Sequence, residues 1–190
     1  MTIAEIKSVL SSNRFLTENE IASILGHSLS TQELWFLQNS DQVTLFQFYG
    51  HRYYRLNVPI SITNLGKQAI DSLTKRPQAI ELGQARRCLD HLAGQAGVSS
   101  FKNLIQKNII KSVSPTCYTL TPTGYTYIRQ WLDYNPEPQI KLCLDFSERD
   151  FHIGGVLGKK ILAKLVSEGK CQLTENRVVK LTTTDMTNLI

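Results

Sequence analysis

Residues 15–37 read FLTENEIASILGHSLSTQELWFL, and residues 50–56 read GHRYYRL. In the first string Thr17 stands three residues before Glu20, the spacing at which a cap side chain and a first-turn carboxylate satisfy each other's backbone N–H groups. A helix is therefore predicted from Glu18 to Leu25, with Ile21, Ile24 and Leu25 turned inward. Gly26 ends it, because glycine takes the left-handed conformation that closes a helix without a Cβ penalty. Ser28 or Ser30 can cap a second helix carrying Leu34, Phe36 and Leu37. Upstream, Ile3, Ile6, Val9 and Leu10 fall at helical spacing, which predicts a helix over 3–11.

Downstream, Val43 to Phe48 is rich in strand formers, Tyr49-Gly50-His51 can turn, and Arg52 to Leu56 returns as a second strand. Two helices joined through a glycine turn form a helix-turn-helix pattern, and a hairpin directly after the second helix adds a wing. The apolar residues from Ile60 to Leu73 predict a further helix after Pro59, and Lys75-Arg76-Pro77 reads as a linker. In such a module the second helix offers Ser30, Thr31, Gln32 and Gln38 to base edges. His51 and Arg52 on the wing reach the phosphates or the minor groove. That helix carries no Lys or Arg and contains Glu33, and an exposed Trp35-Phe36 would favour a protein partner instead.

The chain has 190 residues, 42% of them hydrophobic, a net charge of +5 and a pI near 9.0. This composition supports packed domains, and the basic balance suits an anionic partner. Residues 79–190 carry +4 of the excess and residues 1–78 only +1. No apolar run approaches the length of a membrane helix, and the N-terminus has no secretory pattern, so a cytoplasmic location is expected. Nucleophile-elbow, P-loop, dinucleotide and HExxH motifs are absent from the sequence, and no enzyme activity is expected. Asp145, Glu148 and Asp150 read as solvated or capping acids.

The second half matches itself 61 residues apart. His91, Gly94 and Gly97 meet His152, Gly155 and Gly158; Leu104, Leu120 and Thr121 meet Leu165, Leu181 and Thr182. This predicts a duplicated helix–helix–hairpin unit, over approximately 79–135 and 140–190. Cys88 and His91, three apart on a predicted helix, would share one face. Cys143 and His152 are the matching pair. Thiolate and imidazole suit zinc, copper(I) or a thiophilic metalloid, and four such ligands suffice for a tetrahedral site. The competing reading makes them buried core residues. Cys117 and Cys171, near predicted hairpins, read as filler, and widely spaced cysteines with no CxxC are expected to be thiols.

The strings FLTENEIASILGHSLSTQELWFL and GHRYYRL resemble the helix-turn-helix and wing of the ArsR family. ARRCLDHLAGQAGV (85–98) and CLDFSERDFHIGGVLGKKIL (143–162) are similar to the tail of one ArsR-like subgroup, with Leu89 and Phe146 where a Tyr and a Trp are usual. The resemblance implies a homodimeric regulator on double-stranded DNA, although only a short helix precedes the motif. The family's Cys-x-Cys metal motif is not present. The expected fold is mainly α with small antiparallel β-hairpins: a winged helix-turn-helix (1–78) followed by a region of two winged-helix-like units (79–190). The expected function is transcriptional regulation, most simply repression. The alternatives are a degenerate winged helix that binds protein, and a metal- or thiol-responsive sensor.

Overall fold

The computed structural model describes residues 2–182 and 189–190. Residues 183–188, inside the second predicted repeat, lie outside the described residues. The chain folds as two units, Met1–Arg76 and Pro77–Ile190, each packed mainly against itself. Among the described residues there are eight helices and five two-stranded antiparallel pairs.

The first unit runs α1 (Ile3–Leu10), α2 (Glu18–Leu25), α3 (Thr31–Asn39), β1 (Val43–Phe48), β2 (His51–Leu56) and α4 (Asn64–Thr74). Reciprocal capping boxes begin α2 at Thr17/Glu20 and α3 at Ser30/Glu33. Gly26 closes α2 at φ +77°. The two strands pair in register from Val43 opposite Leu56 to Phe48 opposite His51. The core is assembled from one face of each helix: Ile6, Val9 and Leu10, then Ile21 and Ile24, then Phe36 and Leu37, then Ala69 and Leu73, with Tyr54 from the wing. The predicted helix from Pro59 starts later, at Asn64, because the Thr63 hydroxyl accepts from the Gly66 N–H and caps it there.

The second unit runs α5 (Pro77–Leu82), β3 (Arg86–Cys88), β4 (His91–Ala93), α6 (Gly94–Gln106), β5 (Ile110–Ser114), β6 (Cys117–Leu120), α7 (Pro122–Leu132), β7 (Leu142–Leu144), β8 (Phe151–Ile153), α8 (Gly155–Ser167), β9 (Cys171–Leu173) and β10 (Val179–Leu181). Each repeat is therefore hairpin–helix–hairpin, not helix–helix–hairpin. Cys88 and His91 were expected on a helix; they lie on facing strands across the turn Leu89-Asp90, with Leu89 at φ +60°. Three-residue spacing fits both a helix face and a tight hairpin, and the turn decided between them.

The 61-residue offset extends to single hydrogen bonds. Ile109 N–H donates to Leu104 O, and Lys170 N–H to Leu165 O. Thr121 N–H donates to Ile109 O, and Thr182 N–H to Lys170 O. The helices cross over: α6 packs on β8 and α8 on β4. A Cβ on Gly97 would lie 3.4 Å from the His152 Cβ, and one on Gly158 would lie 3.0 Å from the His91 Cβ. Each repeat thus uses its last motif glycine to admit the other's histidine.

Candidate metal centre and candidate nucleic-acid interface

Cys88 stands directly opposite His91 in the β3–β4 pair, and Cys143 directly opposite His152 in the β7–β8 pair. Facing residues of an antiparallel pair project to the same side, so each hairpin presents one sulfur and one imidazole together. The two hairpins meet through β4 and β8, and the four candidate donor atoms lie within 4.8 Å of one another. The sulfurs are 3.7 Å apart and the two Nε2 atoms 3.2 Å apart. His91, Cys143 and His152 are buried, and Cys88 is partly exposed. Cys117 and Cys171 stay on the outer hairpins, away from this cluster, and all four cysteines are free thiols.

The two sulfurs share a hydrogen bond. The hydrogen bond between them, with the two imidazoles next to Cys88, favours a thiolate at Cys88. That charge, together with burial, holds the Cys143 thiol protonated far above the usual range. Burial works against charging His91, but Cys88 and Asp90 outweigh it and raise its pKa. The Asp90 carboxylate lies 3.3 Å from His91 Nδ1, which leaves Nε2 facing the cluster.

Beneath these hairpins lies a network that sequence reasoning missed. Arg86 and Asp145 are each 2% exposed and form an ion pair at 2.5 Å. Arg86 also donates to the Ser147 hydroxyl and to Gly83 O, and its guanidinium lies over the Phe146 ring. Asp145 accepts from the backbone N–H groups of Gly94, Ser147 and Glu148. Burial alone would raise the Asp145 pKa; Arg86 and these three donors reverse that and hold it low. Asp150 is buried as well, paired with Lys102 at 2.8 Å. Asp145 and Asp150 are therefore not solvated acids, and Asp145 meets the capping expectation by accepting from the Ser147 and Glu148 N–H groups. Asp145 also ties the CLDFSER segment to the first hairpin and to the start of α6. The partners are 59 residues apart, so no local spacing announces the pair.

In the first unit, Ser30, Thr31, Gln32 and Gln38 are exposed along α3, and His51 and Arg52 are exposed on the wing. The Ser30 hydroxyl is committed to the cap of α3, donating to Glu33 and accepting from its N–H. Glu33 turns inward at 4% exposure, so its charge leaves the outer face of α3. Trp35, at 64% exposure, sits in the middle of that face. Arg52 pairs with Glu18 at 3.0 Å, and the Tyr54 hydroxyl donates to the same carboxylate. A polar groove between the start of α2 and the wing tip is lined by Thr17, Glu18, Asn19, Gly50, His51 and Arg52.

No family model matches the chain, and no solved structure matches it. It is 31% identical over 147 residues to an uncharacterised HTH-type transcriptional regulator, YdfF, of Bacillus subtilis (strain 168). The chain is similar to a helix-turn-helix regulator. The match takes in 70% of this chain and 64% of that protein, so the chain spans just under two thirds of its relative's length. No helix among the described residues is long and apolar enough to cross a membrane.

Proposed function

We propose that this chain is a cytoplasmic, non-enzymatic DNA-binding transcriptional regulator of the ArsR kind, acting as a homodimeric repressor on a two-fold operator. The observation that carries the reading is the first unit itself: two capped helices joined through Gly26, followed at once by a hairpin with a solvent-facing arginine. The likeness to a helix-turn-helix regulator supports it. In this reading Ser30 positions the start of α3 as its cap, and Thr31, Gln32 and Gln38 on the outer face meet base edges in the major groove. His51 and Arg52 meet the backbone from the wing. Glu33, turned into the cap, does not oppose the phosphates.

Arg52→Ala should weaken binding to all duplexes alike and make the salt dependence shallower, with the log–log slope falling by about one. Gln32→Ala should change sequence preference while leaving that slope unchanged. Binding isotherms on selected and random duplexes at several salt concentrations read both effects. A protein with no preference for any genomic fragment over random duplex at low salt overturns the reading.

Trp35 favours a second reading, in which α3 docks on a protein. A large exposed aromatic at the centre of a helix face is what an interface core offers. Trp35→Ala would then abolish partner binding, whereas a DNA reader would lose sequence preference through its polar neighbours.

A further inference from the structure

Two edges of the Cys88–His91–Cys143–His152 cluster match a closed four-coordinate site, and the remaining donor pairs, within 4.8 Å, would draw in to about 3.6 Å around an ion. Tetrahedral zinc, with Zn–S near 2.3 Å and Zn–N near 2.0–2.1 Å, sets its sulfurs about 3.8 Å apart and its nitrogens about 3.3–3.4 Å apart. The sulfurs here are 3.7 Å apart and the Nε2 atoms 3.2 Å apart. Both nitrogens face the same point, an arrangement two neutral imidazoles hold only if one donates its proton to the other. Both histidines are at most 4% exposed. Burying this many polar atoms costs free energy unless something pairs them. A cation at the centre pairs four at once.

We propose that this cluster binds one Zn2+ ion through both sulfurs and both Nε2 atoms, closing the interface between the two repeats of the second unit. A mixed S2N2 tetrahedron points to zinc or an iron–sulfur cluster. Donor atoms confined within 4.8 Å are too close-set to straddle two irons, which excludes an iron–sulfur cluster. Four protein ligands leave no open position, so the ion holds structure rather than activating water. On binding, both thiols enter as thiolates and both imidazoles as neutral ligands, and their protons pass to solvent. Asp90, at 3.3 Å from His91 Nδ1, orients that ring from outside the coordination shell. Gly97 and Gly158 make room for the paired rings. The Cβ of an alanine at Gly158 would sit 2.2 Å from Ile153 O, and one at Gly97 would sit 2.5 Å from Leu92 O. The proposal does not rest on DNA binding, and its test contains no DNA.

The full chain, purified under reducing conditions and stripped of metal, is titrated with Co2+ and then Zn2+. The expected result is one Co2+ per chain, with the intense visible bands of tetrahedral cobalt and a sulfur-to-cobalt charge-transfer band. Zinc should displace the cobalt and raise the melting temperature by several degrees through mass action. Cys88→Ser and Cys143→Ser should each lose charge-transfer intensity. Asp90→Asn should keep the tetrahedral spectrum and weaken zinc binding roughly 10–100-fold. Cys117→Ser, outside the cluster, should change nothing. If folded wild-type protein takes up no cobalt, or gives only the weak spectrum of an octahedral ion, the proposal fails whatever the variants do. A Cys88–Cys143 disulfide in anaerobically purified protein, or loss of the spectrum in Cys117→Ser, also overturns it.

Discussion

Asp145 is the residue on which the second unit turns. It is buried beside a buried guanidinium, and its two oxygens collect three backbone N–H groups and the Arg86 side chain. A buried ion pair adds little stability beyond an apolar replacement, but removing one partner strands the other charge. Asp145→Asn should therefore destabilise the protein by about 3–5 kcal/mol in urea unfolding. Combining Arg86→Met with Asp145→Asn should cost less than Asp145→Asn alone, because the amide oxygen still accepts from the backbone N–H groups and no buried charge is left unpaired. If the single change is neutral, the pair is not a structural anchor. Leu89 and Phe146, the two departures from the usual tail strings, differ in setting. Leu89 is 77% exposed at the hairpin tip, whereas Phe146 covers the Arg86 guanidinium.

At the scale of elements, α2 and the wing share one carboxylate. Glu18, in the first turn of α2, accepts from the Tyr54 hydroxyl at 2.6 Å and pairs with Arg52 at 3.0 Å. The Tyr54 hydrogen bond fixes the wing against the helix, and burial together with Glu18 raises the Tyr54 pKa. The Arg52 contact is different, because Arg52 is 45% exposed and such pairs are weak. A phosphate must compete with Glu18 for this guanidinium. Glu18→Gln keeps an acceptor for Tyr54 and removes the competing charge. It should tighten DNA binding severalfold at low salt without changing sequence preference, as read by titration on the same duplexes. Weaker binding would mean that Arg52 needs Glu18 to hold it in place.

At the scale of the whole molecule, the two units differ in what holds them together. The first has one continuous apolar core drawn from four helices and the wing. The second is two repeats crossed over each other, with polar and ionisable groups at the crossing: Arg86, Asp145, His91 and His152 are all buried. Its cohesion therefore depends on groups that need partners, and the proposed zinc ion is one of them. Stripping the metal should accelerate amide exchange in β3, β4, β7 and β8 and in the first turns of α6 and α8. Protection in α1 to α4 should stay as it was. Exchange that rises equally in both units would show that the metal acts elsewhere.

The first unit was legible in the amino-acid sequence almost element by element. Caps, the glycine stop and the strand-forming runs on either side of the Tyr49-Gly50 turn are local signals, and each is read within a few residues of its effect. The sequence also determined that the second half is a repeat, because duplicated packing keeps duplicated spacing. It did not determine what the repeat is made of. Cys88-Leu89-Asp90-His91 satisfies helical spacing and a tight hairpin equally, and three-residue strands are too short to show alternation. Only the tertiary structure chose the hairpin, placed Cys143 and His152 against it, and paired Arg86 with Asp145 across 59 residues. It likewise turned Glu33 inward, away from the face where its charge had counted against DNA. The physical reason is the same in each case. Backbone caps and periodicity act over one helical turn, whereas the partner of a buried charge, thiol or imidazole is set by which surfaces fold together.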